Sequence, residues 1–121
     1  GGLWLGAGDA ILSAGDVPDK WEPVEGGGFR FGRGAASLRA DSRAKWNFVG
    51  AGFAVNAPKG PEYGTARAYL NGEDLGVVDF HAEKPESSQA VLERMGLKTA
   101  PYALVLKDIQ GRIPLDCIEI Y

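Results

Sequence analysis

A chain of 121 residues with 45% hydrophobic and 24% charged side chains has the composition of one folded domain, which excludes an intrinsically disordered protein. The net charge of −3 creates no general attraction for nucleic acid, and no apolar run reaches the roughly 18 residues that a membrane helix needs. Cys117 is the only cysteine, so no internal disulfide can form and the fold depends on its core.

The first half of the chain predicts short strands separated by loops. Residues 1–34 show no regular period, and residues 36–40 alternate weakly between apolar and polar side chains. The run 45–55 predicts one strand in which Trp46 and Phe48 share a face, with a bulge at its Gly-Ala-Gly insert. Because the chain begins without Met or a signal peptide, we expect a domain excised from a longer protein.

The second half predicts a loop, a hairpin, a helix and two last strands. Prolines and glycines predict a loop over residues 56–64. The alternating runs 65–70 and 75–80, joined through an Asn-Gly pair, predict a β-hairpin. Residues 85–96 contain serines that can cap a helix, three apolar residues on one helical face and a terminal glycine, which predicts one short helix or an irregular excursion in its place. Residues 102–121 supply two more strands.

Many short strands and one short helix predict an all-β fold. About eight to ten strands in a chain of this length are typical of a two-sheet antiparallel β-sandwich. We expect a single sandwich domain over residues 1–121.

A series of short motifs in the middle and at the end of the chain resembles a known family. FxGxGF lies at 48–53, GPxYG at 60–64, YLNGE at 69–73, VDF at 78–80 and LDCIEI at 115–120. In this order and spacing they resemble the galactose-binding-like jelly roll, a domain found as a carbohydrate-binding or accessory module in secreted bacterial polysaccharide-degrading enzymes. The resemblance implies a jelly-roll sandwich, a secreted or cell-surface location and a linked catalytic domain.

Carbohydrate binding requires aromatic faces that stack on sugar rings and polar groups that pair with hydroxyls. The candidates lie in loops and on the outer face of the predicted hairpin. The stacking candidates are Tyr63, Trp21 and Tyr102, and their polar partners are Arg67, Asn71 and Glu62. Trp21 has an alternative role as a plug over one end of the core, and Tyr63 has one as packing beneath its own loop.

Other aromatic and basic residues carry less specific signals. Trp46 is in phase with Phe48 and is predicted to be core, while Trp4 is expected to be half-buried in an edge strand. Arg30 and Arg33 have the fork geometry that binds a uronic acid carboxylate, but surface charge is the favoured explanation for both.

Catalysis is not expected. His81 is the only histidine, and it shares a strand face with Asp79, but no motif places a serine or cysteine nucleophile beside this pair. Acidic residues are dispersed and form no motif of paired carboxylates.

The resemblance also implies a structural calcium ion near the ends of the chain. Asp116 in the last strand, with Asp9 or Asp16 near the start, has the hard oxygen ligands that calcium prefers. No compact acidic loop supplies the full set of calcium ligands. We therefore expect that the protein requires no cofactor, and a structural calcium ion at Asp116 and Asp9 is the one candidate.

The predicted function is a non-catalytic carbohydrate-binding module that holds a linked enzyme near a polysaccharide. The alternative from another class is a structural or protein-interaction sandwich that binds no sugar. No nucleic-acid or membrane partner is expected.

Overall fold

The computed structural model describes residues 2–14, 17–18 and 21–121, and these fold almost entirely into β-strands. The strands are β1 (Leu3–Gly6), β2 (Ile11–Ala14), β3 (Val17–Pro18), β4 (Glu22–Glu25), β5 (Arg33–Ser37), β6 (Ser42–Gly50), β7 (Phe53–Lys59), β8 (Thr65–Leu70), β9 (Glu73–Asp79), β10 (Glu86–Arg94), β11 (Ala100–Gln110), β12 (Ile113–Leu115) and β13 (Cys117–Ile120). A 3-10 turn, Ala7–Asp9, follows β1.

The strands form a β-sandwich with a small third sheet. One sheet has the order β1-β13-β7-β10, and the larger one has the order β3-β2-β6-β11-β8-β9. A three-stranded sheet, β12-β5-β4, completes the fold, and all the strand pairs are antiparallel. The predicted all-β sandwich is confirmed.

The core is built from one face of each sheet, as period-two sequence patterns predict. In β6, Ala44, Trp46 and Phe48 are buried, whereas Asn47 and Val49, which alternate with them, are exposed. The Trp46 indole N–H donates a hydrogen bond to the Gly6 carbonyl at 2.9 Å, so this core tryptophan also fixes the end of β1. The core assignment of Trp46 is confirmed.

The Gly-Ala-Gly insert connects two sheets, which differs from the predicted bulge within one strand. β6 ends at Gly50 in the six-stranded sheet, and β7 begins at Phe53 in the four-stranded sheet. A side chain at Gly50 would place its Cβ 2.7 Å from the Tyr121 carbonyl oxygen. Glycine is therefore required there by the close approach of the chain terminus.

The first four residues of the predicted loop over residues 56–64 belong to a strand. β7 continues through Pro58 to Lys59, and only the last part of the interval forms the connection to β8. The hairpin that follows is confirmed, with Leu70 opposite Glu73. Asn71 and Gly72 adopt φ values of 49° and 85°, which is the left-handed conformation that an Asn-Gly turn supplies.

The predicted helix over residues 85–96 is wrong, because this segment forms β10 at the edge of the four-stranded sheet. Its register against β7 shifts between Ala90 and Leu92. The irregularity lets the adjacent residues Val91 and Leu92 both pack against the core. In the sequence, these two apolar neighbours look like part of one helical face. Met95, the third member of that presumed face, is 49% exposed. No helix long and apolar enough to cross a membrane occurs in the ranges that the structure describes.

Candidate functional site

Tyr63 and Glu62, two predicted sugar-binding residues, lie together in the connection between β7 and β8. They line a small cavity of about 230 Å³ with residues that include Pro58 and Glu86. The Tyr63 side chain is half-buried and packs against the core. Burial, with the nearby Glu62 carboxylate as a further cause, raises the pKa of the Tyr63 phenol. The Tyr63 side chain is therefore partly covered by packing within the protein, as its alternative role expects.

Tyr102 and Asn71 border a second, shallower cavity of about 400 Å³ at one end of the six-stranded sheet. The Asn71 Oδ1 accepts a hydrogen bond from the Ala103 N–H at 2.7 Å, and its Nδ2 donates to the Pro101 carbonyl at 3.4 Å. The Tyr102 ring lies 5.7 Å from the Phe48 ring, and its hydroxyl donates to the Lys98 carbonyl. Both residues thus have structural partners within the protein.

Arg67 and Trp21 lie apart from those two cavities. Arg67 projects from β8 and pairs with Asp74 at 2.9 Å on the exposed face of the six-stranded sheet. Trp21 is only 5% exposed, and its indole N–H donates to the Ser13 carbonyl at 3.2 Å. Trp21 is therefore a core plug, and its prediction as a stacking platform is wrong because its ring faces the sandwich interior.

The lone histidine does not form the side-chain pair that a charge relay would need. The Asp79 carboxylate accepts a hydrogen bond from the His81 backbone N–H at 2.9 Å, while the His81 Nδ1 lies 3.2 Å from the Tyr63 carbonyl oxygen. The Asp79 carboxylate is therefore hydrogen-bonded to the His81 backbone and not to the His81 imidazole.

A larger cavity than these two lies beside β1 and was not singled out from the sequence. It has a volume of about 630 Å³ and is formed where β1 and its 3-10 turn, the start of β5 and the corner between β12 and β13 meet. We call it the Trp4 cavity. Its lining includes Trp4, Gly8, Asp9, Phe31, Arg33 and Asp116.

The rim of the Trp4 cavity carries aromatic rings. Trp4 and Phe31 meet edge to face, with ring centroids 6.0 Å apart, and Phe31 is 58% exposed. The guanidinium carbon of Arg30 lies 4.7 Å from the Trp4 ring centroid, within cation–π distance. A half-buried indole held between a guanidinium and a second ring is a preformed apolar surface.

The wall of the Trp4 cavity carries two carboxylates. Asp116 is 2% exposed, and its Oδ2 accepts a hydrogen bond from the Arg30 backbone N–H at 3.0 Å. Its Oδ1 is buried and has no hydrogen-bond partner among the described residues. The Asp9 Oδ2 accepts the Gly6 N–H at 2.8 Å, which orients that carboxylate. Both carboxylates of the cavity are thus held in place by backbone N–H groups.

The two residues predicted as calcium ligands thus share one cavity, but the donor set does not fit calcium in number. Calcium takes six to eight oxygen ligands. Within the described ranges no group of three or more His, Cys, Asp or Glu side chains could hold a metal ion. The Arg33 side chain also lines the cavity, which adds positive charge beside the two carboxylates. Asp16, the third candidate ligand, lies outside the described residues.

Sequence reasoning missed Trp4, Phe31 and Arg33 as members of one site. Trp4 was expected to be half-buried in an edge strand, and its burial agrees with that, but its partners come from a distant part of the chain. The FRFGRG stretch, with aromatic and basic residues in a glycine-rich loop, was the available signal for the other two.

No protein-family model matches the chain, and no curated protein matches its sequence. Solved structures do match its fold. The exo-β-1,3-galactanase of Phanerochaete chrysosporium, solved with galactose, aligns with a TM-score of 0.72 at 16% identity over 100% of this chain and 29% of that chain. The CBM36-1 domain of a multidomain xylanase from the hindgut metagenome of Trinervitermes trinervoides aligns with a TM-score of 0.69 at 10% identity, over 100% of this chain and 97% of that one.

The fold is the β-sandwich of these solved structures. A third neighbour, a CBM36 carbohydrate-binding module solved in complex with calcium and xylotriose, aligns with a TM-score of 0.64 at 12% identity over 98% of this chain and 99% of that one. The chain therefore spans whole binding modules, but less than a third of the galactanase. The resemblance found in the sequence is confirmed at the level of the fold.

Proposed function

We propose that this chain is a non-catalytic carbohydrate-binding module and that the Trp4 cavity is its binding site. The observation that carries the proposal is the combination, in one cavity, of an aromatic rim at Trp4 and Phe31 with the two acidic residues Asp9 and Asp116. A volume of about 630 Å³ lies within the range of roughly 300–1,000 Å³ typical of small-molecule sites. Neighbours of the same fold are carbohydrate-binding modules, one of them solved with xylotriose.

We further propose that the module acts by tethering a catalytic domain of the same protein to a polysaccharide outside the cell. In the galactanase the matching region is 29% of a longer chain, which supports a role as one part of a larger protein. Tethering raises the local concentration of enzyme on its substrate even when the isolated module binds weakly.

The test is a titration of the purified chain with neutral oligosaccharides and polysaccharides, by calorimetry and by retardation in glycan-containing gels. Trp4→Ala should weaken binding about tenfold or more, because a lost stacking ring costs roughly 1–2 kcal/mol. Tyr69→Ala is the matched control. Tyr69 lies on the outer face of the six-stranded sheet and does not line the Trp4 cavity, so this variant should bind as the wild type does. Absence of retardation or heat with every glycan at millimolar concentration would refute the proposal.

A protein-interaction module is the second candidate, favoured by apolar residues on the outer face of the six-stranded sheet. Val49, Ile11 and Val77 are 67%, 59% and 59% exposed. Sedimentation of the chain at increasing concentration tests this, since a self-associating face would give a concentration-dependent mass. Association that Val49→Lys abolishes, together with no glycan binding, would favour the second candidate.

A melting experiment can check the conclusion that Asp116 and Asp9, the predicted calcium ligands, supply too few donors for this ion. Because the donor set is too small, we expect millimolar calcium or a chelator to change the melting temperature by no more than about 2 °C. A large stabilisation by calcium that Asp9→Asn removes would contradict this expectation.

A further inference from the structure

Arg30 is held beside Trp4 by two side chains that are themselves buried. Its backbone N–H donates a hydrogen bond to the Asp116 Oδ2 at 3.0 Å, and its Nη2 donates to the Asn56 Oδ1 at 3.3 Å. Asp116 and Asn56 are 2% and 5% exposed. The Asn56 Nδ2 donates to the Ala54 carbonyl at 3.1 Å, which fixes the orientation of the amide. Arg30 is itself exposed, but its backbone and its guanidinium are thus both tied to the sandwich.

The guanidinium held in this way lies over the Trp4 indole. Its carbon is 4.7 Å from the ring centroid, a distance at which a cation is attracted to the electron-rich face of the ring. Phe31, the next residue of the same loop, meets the indole edge to face. Trp4 lies on the edge strand β1, and the loop between β4 and β5 therefore supplies two neighbours that restrain its side chain.

The guanidinium approaches the indole from outside the Trp4 cavity. Trp4 and Phe31 line this cavity, whereas Arg30 is not among the described residues that line it. Asn56, which accepts from the guanidinium, belongs to β7, and β13 separates that strand from β1. The cavity instead extends toward the 3-10 turn that follows β1. The protein thus covers one face of the indole and leaves the other to the cavity.

A restraint of this kind affects how tightly a ligand can bind. A side chain that becomes ordered only when the ligand arrives loses rotamer freedom, and this loss weakens binding. An indole that the protein already holds avoids the loss. Because the Arg30 guanidinium is engaged by Asn56 and Trp4 outside the cavity, it can order the ring without contacting the ligand.

We propose that Arg30 is a positioning residue, which holds the Trp4 indole so that its free face is presented to a sugar ring in the Trp4 cavity. Arg30 acts through Trp4 and does not contact the sugar. This inference rests on the proposed carbohydrate-binding function and adds the residue that orders its aromatic platform.

The first test measures the motion of the Trp4 ring by NMR in the whole chain without a glycan. The Trp4 indole N–H should be rigid in the wild type, and in Arg30→Met its order parameter should fall below about 0.6, the range of flexible groups. Trp21 and Trp46 are buried, and their indole signals should stay unchanged unless the fold itself is lost. Arg30→Met keeps the backbone N–H that bonds Asp116, so we expect it to fold. An unchanged Trp4 order parameter would overturn the proposal.

The second test measures affinity for a glycan that the wild type binds. Arg30→Met should bind about threefold to tenfold more weakly, the effect expected from ordering one side chain on binding. Arg30→Lys should recover part of this loss, because an ammonium group can also lie over a ring, as that of Lys107 lies 4.5 Å from the Tyr69 centroid. Arg39→Met removes an exposed guanidinium paired with Asp41 and is the matched control, which should bind as the wild type does.

A measurement on the wild type keeps the test decisive if Arg30→Met does not fold. Nuclear Overhauser effects should join the Arg30 side-chain protons to the Trp4 ring with and without the glycan. The protons of the bound sugar should show these effects to the Trp4 ring and none to the Arg30 side chain. Sugar contacts to Arg30, or the lack of Arg30 contacts to the indole, would contradict a positioning role.

The outcomes separate this inference from the proposed function. If the wild type binds a glycan and Arg30→Met binds it equally well, the inference is overturned and carbohydrate binding stands. If no glycan binds to the wild type, the proposed function fails, and the inference fails with it even where Arg30 orders the ring.

Discussion

Asn71 uses its side-chain amide in hydrogen bonds to the backbone, so little of its hydrogen-bonding capacity remains for a ligand. It adopts a left-handed φ of 49° in the turn between β8 and β9. Its amide also accepts from the Ala103 N–H and donates to the Pro101 carbonyl, which ties the hairpin to β11. Side-chain amides that replace ladder partners in this way are structural.

We therefore predict that Asn71→Ala lowers the free energy of unfolding by about 1–3 kcal/mol, from the left-handed backbone and the lost hydrogen bonds. Glycan affinity should stay unchanged. Urea denaturation followed by calorimetric titration measures both, with the exposed Asn47→Ala as control. Lost affinity with unchanged stability would instead make Asn71 a ligand-binding residue.

Cys117 is the other residue whose behaviour follows from its surroundings. The thiol is fully buried in β13, and burial first, then the Asp116 carboxylate, raises its pKa to about 12. The unfolded chain loses this proton near pH 9, so this group's contribution to stability is present below that pH and disappears as pH rises toward 12.

The prediction is that Cys117 does not react with a thiol reagent at pH 8 in the native protein and reacts at once in denaturant, because the thiolate is the reactive form. A time course with and without urea gives the answer. Rapid labelling of the native state would mean that β13 opens readily or that the thiol is more accessible than its burial indicates.

At the scale of elements, β10 shows that strand pairing can override the secondary structure that a local sequence pattern predicts. Its sequence has a helical spacing of apolar residues, but the backbone of this segment pairs with the edge of β7. In that position Val91 and Leu92 pack against the core. Pairing and burial therefore outweigh the weak local preference. By contrast, the β8–β9 hairpin was predictable, since Asn-Gly determines its turn and period two determines its faces.

Two substitutions distinguish strand from helix in β10. Leu92→Ala should cost about 1–3 kcal/mol of unfolding free energy because Leu92 packs on the core. Met95→Ala should change stability by less than about 0.5 kcal/mol because Met95 is exposed, although a helical face would bury both. Equal destabilisation by the two changes would argue against the strand.

At the scale of the whole molecule, the fold joins the two ends of the chain. β1 pairs with β13, with Leu3 opposite Ile120, and the Trp46 indole fixes the carbonyl that ends β1. Such pairings close long loops before any contact is gained, which makes folding slow. The same closure brings Asp116 to Asp9 and creates the Trp4 cavity.

We expect refolding from denaturant to take milliseconds to seconds, the range of all-β sandwiches with distant strand pairs. Stopped-flow tryptophan fluorescence reports it, because Trp21 and Trp46 are both buried on folding. Refolding within microseconds would show that local structure dominates, contrary to this topology.

The sequence by itself determined the fold class, the hairpin, the core role of Trp46 and the absence of a disulfide framework, because each depends on residues that are close in the chain or on composition. The placement of β10, the burial of Trp21 and the assembly of the Trp4 cavity were decided only by the tertiary structure. The cavity brings together Trp4, Phe31 and Asp116 from distant parts of the chain. Their meeting depends on which sheet edges pair, and the summed burial of the whole core determines that pairing.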